Sequence, residues 1–302
     1  MKDIRKFLHD ADTRDLNTVL QNIDNLWYGA PKHWGEDPNK RNNTLNFFNA
    51  DEEEEFKKDE NNKYKNYKIS YILNEDGYRS SVLRENNFYC FGCCNTLGWG
   101  LPAEKLWSHK LFEKIGTLGY RNFGTLAGIN DNIARTSYQA INFLPTPSAV
   151  FVLFTPSPAI EFFSQGGKSI NFIPGASRMR HLSEFGNHYF NFESVSHEYK
   201  SYLGLMNKVN CFFNFVKNYK LVELSCKDKN IPFFWHTHCK DVLNISHDLL
   251  SKYVDINKAI TKNGKLLDLN VNPGELSRDK NHFGETFHDL LAEGFYKLYK
   301  GS

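Results

Sequence analysis

Two short stretches hold the residues best suited to chemistry. The first is Phe91-Gly92-Cys93-Cys94-Asn95-Thr96-Leu97-Gly98-Trp99-Gly100. An apolar run, Phe88-Tyr89-Cys90-Phe91, leads into it, and a helix-like segment opens after it at Leu101-Pro102. A strand, a glycine-bounded turn and a helix lift one side chain out of a sheet edge and aim backbone N–H groups at whatever binds there. The residue in that exposed position is Cys94. The second stretch is Ser277-Arg278-Asp279-Lys280-Asn281-His282-Phe283-Gly284, where Asp279 and His282 stand three apart just before a helical pattern. A loop holding Asp-x-x-His can present the imidazole to a nucleophile while the carboxylate fixes its tautomer. Such a pair is common by chance and gains weight only from the turn far upstream.

For Cys94 and His282 to meet, the chain between them must fold back on itself. From residue 88 onward the pattern is strand, helix, strand, helix. Strands are expected at 88–91, 120–123, 149–155 and 232–235. Helices are expected at 102–115, with Trp107, Leu111 and Ile115 on one face, and at 130–143, with Ile133, Ser137 and Ile141. A longer one is expected near 196–217, with Leu203, Met206, Val209, Phe213 and Val216. The last spans 286–299, with Phe287, Leu290, Leu291, Gly294, Phe295 and Leu298. Helices alternating with buried strands predict a three-layer α/β/α sandwich on a mostly parallel central sheet. In such sheets sites form beyond the carboxyl ends of the strands, where Cys94, Gly124 and Thr155 all fall.

Residues 1–85 read as an N-terminal extension that wraps or borders a main domain spanning 86–302. A short helix fits 13–24, and a polar stretch follows at about 31–67 with isolated aromatics such as Trp34, Phe47 and Phe48. Residues 67–73 alternate well enough for a strand, and Asn74-Glu75-Asp76-Gly77 makes a turn.

Composition narrows the function classes. A net charge of +2 gives no basic face for nucleic acid. No run approaches the roughly 18 apolar residues of a membrane span. The charged start, Met1-Lys2-Asp3-Ile4-Arg5-Lys6, is not a signal peptide, so the expected location is cytoplasmic or virion-associated. The acidic run at 51–55, soon followed by Lys57-Lys58, reads as a solvated surface segment. The six cysteines lack paired zinc-site spacing and read as reduced thiols, with Cys90 and Cys93 in the core. His236-Thr237-His238-Cys239 looks metal-like but finds no matching ligand group elsewhere, so no metal and no cofactor are expected. His236 and Arg178 are candidates for contact with substrate. Phe212, Phe213 and Val216 are expected in the core.

Together the two stretches resemble the SGNH (GDSL-like) hydrolases, over about residues 88–299. The family's first block, Gly-Asp/Cys-Ser-x-Thr-x-Gly-x-Gly, reads here Gly92-Cys93-Cys94-Asn95-Thr96-Leu97-Gly98-Trp99-Gly100, with Cys94 in the place of the serine. The second, Asn-x-Gly-x-x-Gly, is approximated by Asn122-Phe123-Gly124-Thr125-Leu126-Ala127-Gly128. The last, Asp-x-x-His, matches Asp279 and His282. Asn74-Glu75-Asp76-Gly77-Tyr78-Arg79 is similar to a segment preceding the first block in a phage-associated branch. The third block, Gly-x-Asn-Asp, has no counterpart, since the third strand is followed by Thr155-Pro156-Ser157-Pro158.

The resemblance implies an SGNH/flavodoxin-like fold and a hydrolase acting on an ester, thioester or O-acetyl group of a small molecule or carbohydrate. Cys94 would attack, His282 would carry the proton and Asp279 would orient His282. The backbone N–H groups of Cys94 and of Ala127 or Gly128 would bind the oxyanion, with Asn130 or Asn132 as substitutes for the missing donor. The other reading is a catalytically lapsed domain kept as a structural or carbohydrate-binding component, for instance of a phage.

Overall fold

The computed structural model describes residues 44–45, 69–72, 78–79, 87–117, 119–125, 128–155, 160–163, 169–172, 207–269, 275–278 and 282–302. The helix expected at 13–24 and the turn at 74–77 lie outside them. In chain order the elements are β1 (Thr44–Leu45), β2 (Tyr71–Ile72), β3 (Phe88–Gly92), α1 (Cys94–Leu97), α2 (Trp107–Ile115), β4 (Tyr120–Gly124), α3 (Asn130–Phe143) and β5 (Val150–Phe154). They continue with β6 (Ile160–Phe163), β7 (Ser169–Phe172), α4 (Lys208–Asp228), β8 (Phe233–Thr237), α5 (Lys240–Leu243), α6 (His247–Leu250), β9 (Thr261–Lys262), β10 (Lys265–Leu266) and α7 (Glu285–Lys300).

The four apolar runs form one parallel sheet in the order β4-β3-β5-β8. Its strands are buried on both faces, and their residues divide between two cores by simple alternation. Tyr89, Phe91, Val150, Val152, Phe154, Phe233 and Trp235 join Ile133 and Ile141 of α3 and Phe215, Tyr219 and Val222 of α4. Phe88, Cys90, Phe151, Leu153 and Phe234 join Trp107 and Leu111 of α2 and Phe287, Leu291 and Phe295 of α7. The expected α/β/α sandwich is what the chain forms.

Strand order explains where a site can lie. From β3 the chain moves outward to β4, then crosses back to β5 on the other side of β3. The first crossover carries α2 on one face and the second carries α3 on the opposite face, as right-handed connections running in opposite directions must. The crevice at this reversal opens beyond the carboxyl ends of the strands. Cys93 follows β3 there, Thr125 follows β4 and Thr155 follows β5.

Residues that precede β3 also enter the first core. Ile69, Tyr71 and Tyr78 are buried in it, and the Tyr78 ring meets Phe123 edge-on at 5.1 Å. The strand expected at 67–73 is the short β2, which pairs antiparallel with β1.

Two helices depart from expectation. The segment 102–115 splits into a 3-10 turn, Ala103–Lys105, and α2, because Leu106 between them is extended (φ −75°, ψ 145°). Of the long helix expected near 196–217, residues 196–206 lie outside the described ones; the described helix is Lys208–Asp228, which runs eleven residues further, and in it Phe213 is 51% exposed, with Val209 also exposed. Its buried stripe is Phe215, Tyr219, Val222 and Cys226, and Phe213 falls two residues, about half a turn, off that stripe. Leu290, expected on the buried face of α7, is likewise exposed. Among the described residues no helix is long and apolar enough to cross a membrane.

Candidate functional site

The turn after β3 is built so that Cys93 and Cys94 open a short helix at the crevice. Cys93 is the N-cap of α1 in extended conformation, and its carbonyl accepts from the N–H groups of Thr96 (2.8 Å) and Leu97 (3.0 Å). Cys94 is half-buried, whereas Asn95, Thr96 and Leu97 are buried beneath it. The helix can sit this low because Gly124 ends the neighbouring strand without a side chain. A Cβ there would lie 2.1 Å from the Leu97 amide nitrogen.

Asn122 locks the arrangement from within the sheet. Its Nδ2 donates to Thr96 O at 2.7 Å and to Ser108 Oγ at 3.2 Å, and its Oδ1 accepts from Gly124 N–H at 2.8 Å. One buried amide thus ties the end of β4, α1 and α2 together with both of its polar atoms engaged.

The loop before α7 is fastened onto this turn. Arg278 N–H donates to Gly100 O at 3.0 Å and Phe283 N–H donates to Asn95 Oδ1 at 3.4 Å, while Ser277 N–H donates to His282 O at 2.9 Å within the loop. The His282 ring stacks on Trp99, with centroids 5.2 Å apart and planes inclined by 29°. Behind it, Trp107 N–H at the start of α2 donates to Nδ1 of the buried His288 at 3.0 Å. The two stretches singled out in the sequence, far apart along the chain, therefore meet at one end of the sheet.

The cysteine pair has its own electrostatics. The Cys93 thiol is pulled down to about 7, chiefly because the Cys94 thiol donates a hydrogen bond to it. Burial opposes this, while the Asn95 amide and the nearby His282 add to it. Cys90, two residues earlier and fully buried, is pushed well up by desolvation alone.

The remaining candidates fall in different places. Asp279, Ala127 and Arg178 lie outside the described residues. Gly128 backs onto the turn: a Cβ on it would lie 3.3 Å from Cys93 Cα, and its N–H donates to Thr125 O at 3.3 Å. Asn130 exchanges two hydrogen bonds with the Thr155 backbone, at 2.8 and 3.2 Å. Asn132 donates to the Glu161 carboxylate, which Arg135 also holds. Both side-chain amides thus fasten α3 to the segment after β5.

His236 corrects an expectation. It is 0% exposed, on the sheet face it shares with Phe234 beneath α7, and so it lines no open cleft. Burial holds its pKa down to about 3, with His238 adding to the effect, so it is a neutral core histidine. Among the described residues no group of three or more His, Cys, Asp or Glu is placed to hold a metal ion.

Residue types alone single out neither Trp99 nor the hydrogen bond between Cys93 and Cys94, and Arg79 enters only as the end of the 74–79 segment. An aromatic between two glycines, Gly98-Trp99-Gly100, was the available signal for the first. Cys93 was assigned to the core on residue type. It is buried, but it is also the neighbour of Cys94 and lies within the field of His282.

No family model matches the chain, and no curated protein gives a significant match. Solved structures do. One is a lipolytic protein of the G-D-S-L family from Desulfitobacterium hafniense DCB-2, 11% identical, covering 71% of this chain and 99% of that chain with a TM-score of 0.32. Another is a member of the lipolytic protein G-D-S-L family from Veillonella parvula DSM 2008, 10% identical, covering 71% and 98%, with a TM-score of 0.27. At those values the likeness says nothing about chemistry.

Proposed function

We propose that the chain is a hydrolase of the SGNH type that cleaves an ester, thioester or O-acetyl bond through Cys94, His282 and Asp279. The observation that carries this reading is the fastening of the His282 loop onto the Cys94 turn. Two hydrogen bonds, Arg278 N–H to Gly100 O and Phe283 N–H to Asn95 Oδ1, and one ring stack bring an imidazole-bearing loop to a thiol at a helix start.

In this reading the thiol pair gives one proton to His282 near neutral pH, since Cys93 titrates at about 7 while hydrogen-bonded to Cys94, and the proton left on the pair passes to Cys93 as Cys94 attacks. Cys94 is the less buried of the two and attacks the carbonyl carbon. Its sulfur forms the new C–S bond as the carbonyl oxygen takes the negative charge. Backbone N–H groups of Cys94 and of Ala127 or Gly128 receive that charge. His282 delivers a proton to the leaving alcohol or thiol, then takes one from the water that cleaves the acyl-thioester. Asp279 orients His282. The substrate is a small-molecule or carbohydrate ester.

The test uses p-nitrophenyl acetate and a butyryl thioester with the wild type, Cys94→Ser and His282→Ala. General acid–base catalysis contributes on the order of 100-fold or more, so His282→Ala should lose at least that much. Equal rates in wild type and His282→Ala would sink the proposal. The second reading, a lapsed domain that binds carbohydrate, is favoured by one observation: Asn130 and Asn132, the substitutes for the missing third-block donor, are engaged with Thr155 and Glu161. It predicts no turnover above background in any of the three proteins.

A further inference from the structure

Arg79 is a buried cation in the segment before the main domain, 5% exposed. Its two terminal guanidinium nitrogens donate to backbone carbonyls. One terminal nitrogen donates to Gly98 O at 2.7 Å and to Leu97 O at 3.4 Å. The other donates to Leu101 O at 2.8 Å and to Ser70 O at 2.9 Å. The guanidinium carbon sits 4.5 Å from the centre of the Tyr71 ring. Tyr71 grips the same turn, its hydroxyl oxygen accepting from Gly100 N–H at 2.8 Å.

Burying a guanidinium is costly unless its donors are matched, and a planar fork matches several carbonyls where an ammonium cannot. What it holds is the stretch 97–101, the turn that follows α1 and carries Trp99. That turn carries two left-handed glycines, Gly98 (φ +78°) and Gly100 (φ +74°), and its own bonds run back to α1, from Gly98 N–H (2.8 Å) and Trp99 N–H (3.2 Å) to Cys94 O. Those bonds tie its start to α1, and the grips of Arg79 and Tyr71 fix its far end, Gly98 to Leu101, from outside. On its other side the same turn holds the histidine loop: Gly100 O accepts from Arg278 N–H, and Trp99 stacks on His282. Gly100 is gripped by Tyr71 through its N–H and grips Arg278 through its carbonyl.

We propose that Arg79 is a positioning residue: by clamping residues 97–101 it fixes Trp99 and Gly100, and through them sets where His282 stands relative to Cys94. This rests on the hydrolase reading only in taking His282 as the base. The segment around Tyr71 and Arg79 is then part of the site's machinery, though neither side chain is placed among the reacting groups.

The test uses the full chain with Arg79→Ala, Tyr71→Phe and His282→Ala. Three quantities are read: the melting temperature, the rate of Cys94 alkylation by iodoacetamide against pH, and the ring-proton NMR shifts of His282. A misplacement of about 1 Å costs on the order of 100-fold in reactivity, so Arg79→Ala should slow ester turnover about 10- to 100-fold. It should also displace the pH profile of alkylation. Millimolar guanidinium should restore at least half of the loss, and methylammonium should not. Tyr71→Phe removes only the hydroxyl on Gly100 and should cost about threefold, so it carries the test if Arg79→Ala fails to fold. In both variants His282 should lose the upfield displacement that the Trp99 ring current gives it. A lowered melting temperature with unchanged His282 shifts and an unchanged alkylation profile would reduce Arg79 to a structural role and overturn the proposal. The hydrolase reading fails separately, if no ester is turned over or if His282→Ala leaves turnover unchanged, and the His282 shifts still decide the role of Arg79.

Discussion

The imidazole of His282 lies against the indole of Trp99, 5.2 Å centroid to centroid. The stack fixes the plane of the imidazole, and under the proposed mechanism that ring must be oriented to move a proton. Trp99→Leu keeps apolar bulk but removes that stack. It should lower kcat about 5- to 30-fold with KM little changed, and Trp99→Phe should lie between Leu and wild type. Wild-type kcat in Trp99→Leu would show the stack to be incidental.

Two buried histidines make the fold acid-sensitive. His236 and His288 are both held down to about 3 by burial, well below the ordinary value of 6.5. The unfolded chain takes up both protons as pH falls through 6.5, while the folded chain resists until about 3. Stability is thus full above pH 6.5 and is lost between 6.5 and 3, at about 1.4 kcal/mol per unit for each group. Between pH 7 and pH 5 the pair should lose about 4 kcal/mol. Urea denaturation at the two pH values measures it, and His236→Gln should remove roughly half of the difference. A flat profile would contradict the burial of both rings.

Gly124 should tolerate no side chain. A Cβ there meets the α1 backbone at 2.1 Å from Leu97 N, 2.5 Å from Thr96 C and 2.7 Å from Leu97 Cα, and no rotamer change relieves a clash with main chain. Gly124→Ala should cost about 1–3 kcal/mol or more. It should also lower Cys94 reactivity, because α1 must lift. A variant as stable as the wild type, with Cys94 alkylated at the same rate, would be inconsistent with this packing.

Asn122 is a sharper probe of the same junction. Asn122→Asp keeps the acceptor for Gly124 N–H but loses the donors to Thr96 O and Ser108 Oγ, and it places a carboxylate against a carbonyl. Leaving buried groups unsatisfied costs about 1–3 kcal/mol each, so a loss of at least 2 kcal/mol, approximately, is expected in the denaturation midpoint. Asn122→Asp stability equal to wild type would mean that water takes over those bonds.

Much of this architecture was legible because a parallel sheet writes itself as short apolar runs. β3 and β4 start at Phe88 and Tyr120 as expected and run one residue further, and α3 has the expected bounds of 130 and 143. The extent of α4 was misread because apolar residues surround it: Val209, Phe213, Leu221 and Leu224 are exposed while Phe215 and Val222 are buried, so its phase is ambiguous. The better sign was Asn207, whose side chain caps the helix by accepting from Asn210 N–H at 3.0 Å. The turn at 92–100 and the loop at 277–284, singled out by residue types at fixed spacing, are in contact. The clamp of Arg79 on 97–101 was not legible, since nothing in a sequence says that an arginine before a domain will bury itself on carbonyls 18 to 22 residues later.

The contact between Phe283 N–H and Asn95 Oδ1 spans 188 residues, and that between Trp107 N–H and His288 spans 181. Contacts this distant reward the chain only after nearly all of it has been ordered, and loops of such length close late. During synthesis the thiol turn leaves the ribosome long before its histidine does. Until α7 arrives, the face of the sheet that carries Phe151 and Phe234 has nothing from that helix to cover it. Docking of the 282–283 loop on the 95–100 turn and closure of that core are therefore coupled, timed by the arrival of residues 282–300.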